Sequence, residues 1–88
     1  MGEFAKNIDL EILSNELKVL RLKLKDEATD PKHDAAIGAV ASAEIAAKDG
    51  NGPKVLESLR KAGLWTLEVA QKIGVSMAVA ALKGALGL

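Results

Sequence analysis

Leu10, Leu13, Leu17, Leu20 and Leu24 recur at alternating intervals of three and four residues. That spacing lines all five along one stripe of an α-helix. A stripe of this kind has to be covered by neighbouring elements, and it runs for only about two heptads, too few for a free-standing coiled coil. The chain is therefore expected to be all-α, a small bundle of three to four helices that also self-associates.

Punctuation residues divide the remainder. Asn7 or Asp9 can cap a first helix over about 9–28, with Asp9, Glu11 and Glu16 early and Lys18, Arg21, Lys23 and Lys25 late. This is the order that the helix dipole favours. Asp30 followed by Pro31 is a start signal for a second helix, 31–48. The segment Gly50, Asn51, Gly52 and Pro53 ends it and opens a third, 53–73, which Gly74 closes or kinks. A fourth stretch, 75–86, is rich in Ala and Val. Residues 7–88 read as one helical-bundle domain. Residues 1–6, which open MGEF, read as a start codon with a cloning remnant and lead-in, so the chain is expected to be a piece of a longer bacterial protein.

At 88 residues, such a chain buries roughly 60–65% of the surface its unfolded form exposes. Small domains gain stability from disulfides, a metal or partners. Here Cys is absent and His33 is the only histidine, which leaves association. No signal-peptide pattern opens the chain, and a cytoplasmic location is expected.

The helical faces carry the functional argument. On helix 1, Ile8, Ile12, Val19 and Leu22 fall nearly opposite the leucine seam. Two apolar faces need two neighbours: either the chain's own bundle sandwiches helix 1, or one face docks on another chain, and docking is the favoured expectation. Helix 2 is thin, with Ala36, Val40, Ala43 and Ala47 on one side, so neighbouring backbones can approach it closely. Helix 3 is expected to bury Val55, Leu56, Leu59, Ala62, Leu67, Ala70 and Ile73. Trp65 and Leu64 flank its charged side, where Trp65 is either an edge of the core or an interface anchor. Beyond Gly74, Val75, Val79, Leu82 and Leu86 form an apolar stripe, also expected to face a partner. The stretch from Ile73 to Leu88 falls short of the roughly 20 apolar residues of a membrane span.

No catalytic or metal-binding motif emerges. The carboxylates sit at helix starts and on solvated faces, where capping or pairing explains them, and His33 in the first turn of helix 2 has no companion ligands. Gly50 to Pro53 lacks the Lys and Ser or Thr of a phosphate loop. Twelve Lys and Arg balance twelve Asp and Glu, and the Lys18 to Lys25 cluster has no aromatic residues beside it to stack bases. The expected role is a non-enzymatic assembly or protein-interaction module with no cofactor and no nucleic acid, whose partner is a second copy or another protein. Two alternatives are a membrane-active effector that uses the apolar C-terminal helix and a weak nucleic-acid-binding domain.

The AAIG run at 35–38, the segment GNGPKVLESLRKAG at 50–63 and the KIGVS run at 72–76 resemble the C-terminal helical module of uncharacterised bacterial multidomain proteins. DLEILSNELKVLRLKLK, at 9–25, resembles what precedes that module. The similarity covers nearly all of the chain after residue 7. It implies an all-helical module and assigns no catalytic residue.

Overall fold

The structure, a computed structural model, describes residues 9–88, and four helices account for nearly all of them: α1 (Leu10–Glu27), α2 (Pro31–Lys48), α3 (Gly52–Ile73) and α4 (Ser76–Leu86). No strand occurs among the described residues. Residues 1–6, read as a lead-in, and Ile8 lie outside them.

The helix starts follow from local chemistry. Asp9 Oδ1 accepts the N–H groups of Glu11 and Ile12, at 2.9 and 3.2 Å. Asp30 Oδ1 does the same for Lys32 and His33, ahead of Pro31, and Asn51 Oδ1 accepts from Lys54 N–H at 3.1 Å. Each cap satisfies amide donors that the first turn of a helix leaves without partners. Gly74 ends α3 in the left-handed conformation at φ 78°, which lets the chain reverse into α4.

Leu13, Leu17, Leu20 and Leu24 of α1 are wholly buried. They join Val40, Ala43 and Ala47 of α2, Val55, Leu59, Leu67 and Ala70 of α3, and Ala78, Ala81, Leu82 and Ala85 of α4 in one core. The alanine side of α2 permits close approach, and α2 packs against both α1 and α3. Of the residues expected on the buried side of α3, Leu56 and Ile73 are only half-buried, whereas Val69 and Thr66 are buried in addition.

Two features depart from the sequence expectation. The helix expected over 53–73 is broken at Gly63, whose φ of 82° and ψ of −178° are not helical, so α3 consists of two helical segments, 52–62 and 64–73. This backbone region is essentially restricted to glycine. The Thr66 hydroxyl donates to the Ala62 carbonyl at 3.0 Å, so a polar group buried beside the break has its partner.

The second departure is α4. With 11 residues it is too short to hold as an isolated helix, and its N-cap residue, Val75, supplies no side-chain acceptor. Instead Glu16, on α1, accepts from Ala78 N–H at 2.9 Å, a cap delivered across 62 positions of sequence. At the other end Arg60 Nε of α3 donates to the Ala85 carbonyl at 3.4 Å. A carboxylate at the N-terminus and a guanidinium at the C-terminus are the signs that the helix dipole favours. Leu82 is fully buried, and Val75, Val79 and Leu86 are half-buried against the core. The α4 stripe is thus largely covered within one chain, because α4 folds back onto both α3 and α1.

Two outcomes follow. Glu16→Ala lowers stability by about 0.5–2 kcal/mol and speeds amide exchange at Ala78, while Glu16→Gln, which keeps an acceptor, loses less; unchanged exchange at Ala78 in the alanine variant would remove the cap from the account. Gly63→Ala costs about 1–3 kcal/mol although the added carbon meets no atom within 4 Å beyond the adjoining backbone. Gly38→Ala, at an exposed helical site equally free of neighbours, stabilises by about 0.5–1 kcal/mol. Urea unfolding of the two variants checks the opposite signs.

Candidate interaction surface

With the seam of α1 turned inward, its other face meets water. Ile12, Val19 and Leu22 are 46, 53 and 48% exposed. At about 100° per residue they fall within about 80° of one another, with the exposed Asn15 between them. Of the residues expected at an interface, these three and Leu64 of α3 remain open to solvent. Leu82 is excluded because the core takes it, and Val75, Val79 and Leu86 keep only part of their surface.

Trp65 is half-buried. Its indole lies flat on the His33 imidazole, with ring centres 3.8 Å apart and planes 16° from parallel. His33 Nδ1 accepts from Thr29 N–H at 3.0 Å, which leaves Nε2 as the ring's donor, 3.9 Å from Asp30 Oδ2. The stack ties the first turn of α2 to the second segment of α3. Sequence reasoning placed both rings near the surface but had no means of pairing them. It also missed Ile45 on α2 and Leu88 at the C-terminus, both largely exposed.

Beside the α1 face, a groove of about 510 Å³ runs between the start of α1 and the end of α2, lined by Glu11, Ser14, Asn15, Ala47, Lys48 and Gly50. It offers one carboxylate and one ammonium group. Among the described residues no cluster of three or more His, Cys, Asp or Glu could hold a metal ion, and no helix is long and apolar enough to cross a membrane.

Between α1 and α2, Arg21 Nε donates to Glu44 Oε1 at 2.7 Å, and Lys48 Nζ stands 3.7 Å from Glu44 Oε2. Lys23 and Lys72 both reach Glu27, at 3.7 and 3.3 Å. Two cations of the Lys18 to Lys25 cluster are therefore engaged within the chain. The Glu44 side chain is only 7% exposed. Burial pushes its carboxyl up, but the Arg21 hydrogen bond and the charges of Arg21 and Lys48 outweigh that and hold it below its ordinary value of 4.5. The same hydrogen bond raises the Arg21 guanidinium above its usual range, against the desolvation that lowers it.

A carboxyl whose folded-state pKa lies below its unfolded one stabilises the fold fully above the unfolded value. That contribution is lost as pH falls through the folded one. Glu44→Gln should therefore cost about 1–3 kcal/mol at neutral pH and flatten the loss of stability on acidification below about pH 4.5. Thermal unfolding across that range, with an acid limb as steep in the variant as in the wild type, would contradict the assignment. No protein family, curated protein or solved structure matches this chain.

Proposed function

We propose that this chain is a non-enzymatic helical assembly or protein-interaction module whose contact surface is the outward face of α1. One observation carries the reading: three branched aliphatic side chains, each about half exposed, share a face opposite a leucine seam whose Leu13, Leu17, Leu20 and Leu24 are fully buried. The fold does not need them there. Leucines at 13, 17, 20 and 24 already anchor α1, and α2, α3 and α4 all pack on that inner side.

Covering the remaining halves of three such side chains is worth about 2–4 kcal/mol per copy. Association itself costs at least about 4 kcal/mol. The contact is accordingly weak, in the range where local concentration decides occupancy.

If the face is free for a partner, Val19→Gln and Leu22→Gln each leave stability within about 0.5 kcal/mol of the wild type. Leu20→Ala, on the seam, costs about 2–5 kcal/mol. Urea denaturation distinguishes them. A loss above about 2 kcal/mol for Val19→Gln would mean that the fold itself uses this face, and the reading would fail.

A further inference from the structure

The charges that border the α1 face narrow the choice of partner. Glu11, Lys18 and Lys25 lie seven residues apart along one edge, and Asp9, Glu16 and Lys23 lie along the other. The first edge is acidic toward the N-terminus and basic toward the C-terminus; on the second, Lys23 is followed by Glu27, which it meets at 3.7 Å, and the exposed Asp26 ends the stripe itself. Glu11 and Lys25 are exposed, and neither makes an ion pair with another of the described residues.

From this pattern we infer that the occupant of the face is a second copy of this chain, with the two α1 helices antiparallel about a two-fold axis; this rests on the reading of the α1 face as a contact surface. A parallel pair sets Lys18 against Lys23 of the other copy, like charges in both symmetry-related positions. An antiparallel pair brings each Glu11 to the other copy's Lys25, and each Asp9 toward its Lys23. In the same register Ile12 meets Leu22 and Val19 meets Asn15, while Lys18 faces its own counterpart across the axis, one like-charge contact set against two Glu11–Lys25 pairs. Glu16 is withdrawn from the contact by its bond to Ala78 N–H. Asn15, a polar group inside the stripe, weakens the pairing but disfavours slipped registers.

A self-complementary, or isologous, contact closes on itself, so assembly stops at two. It also weakens with added salt, because the edge pairs are exposed.

Sedimentation equilibrium from about 10 μM to about 1 mM tests this with three proteins: the wild type, Glu11→Lys and Lys25→Glu. The wild-type mass should rise toward twice that of the chain and no further. Each variant places like charges in both symmetry-related edge pairs and should weaken self-association by about tenfold. An equimolar mixture of the two restores opposite charges at both pairs, and the dimer should return to at least wild-type strength. A variant that had merely lost its fold would not be rescued by mixing. A wild type that stays monomeric throughout, variants that associate as well as the wild type, or a mixture no stronger than its components would each overturn the antiparallel pairing. The test of the α1 face by Val19→Gln would be untouched by any of these.

Discussion

Leu13, Leu17, Leu20 and Leu24 are completely withdrawn from water, and the other three helices are placed by the need to cover them. A four-leucine seam is too wide for one thin helix. The alanine side of α2 gives α1 its most extensive contact, and α3 and α4 also pack against it. Each of the shorter elements depends on this arrangement, since α4 has neither the length nor a side-chain cap of its own to persist alone. The seam is thus the element around which an 88-residue chain without disulfides assembles a shared core.

The charged residues serve the same arrangement. Glu16 and Arg60 hold opposite ends of α4, each with the sign that its dipole favours. Arg21 joins α1 to α2 through Glu44, and Lys72 joins α3 to α1 through Glu27. Of these links, the one to Glu44 is the most enclosed, and a buried carboxylate is tolerated there because two cations reach it. Equal numbers of acidic and basic residues, which the sequence presents as a net charge of zero, become in the structure a set of specific ties between helices.

Helix boundaries were legible because their determinants are local. Asp9, Asp30 with Pro31, Asn51 with Pro53, and Gly74 act within a turn of where they stand, and the helices begin and end within two residues of the expected positions. What was not legible depends on distance. Nothing near Glu16 in the sequence indicates that it caps a helix beginning 60 residues later, so the apolar stripe of α4 looked surplus when Leu82 is core and Val75, Val79 and Leu86 pack against it. The break at Gly63 was hidden for a different reason. Buried residues on both sides of it, from Val55 and Leu59 to Ala62, Thr66 and Ala70, keep a helical period, so periodicity alone predicts an unbroken helix. On α1 the inner seam and the outer aliphatic residues were both visible as faces, and only the packing could decide which of the two the bundle would take.

That division of α1 has a consequence for recognition. A helix of 18 residues gains stability from acidic groups near its first turn and basic groups near its last. This requirement concerns one chain alone. Yet a helix with such a gradient beside an exposed aliphatic stripe is complementary to itself when reversed, and repels itself when aligned in parallel. The placement of Glu11 and Lys25 that suits the dipole of a single α1 therefore also favours the antiparallel orientation in the proposed dimer. No additional residue is needed for that selectivity, because an electrostatic preference of the fold already contains it.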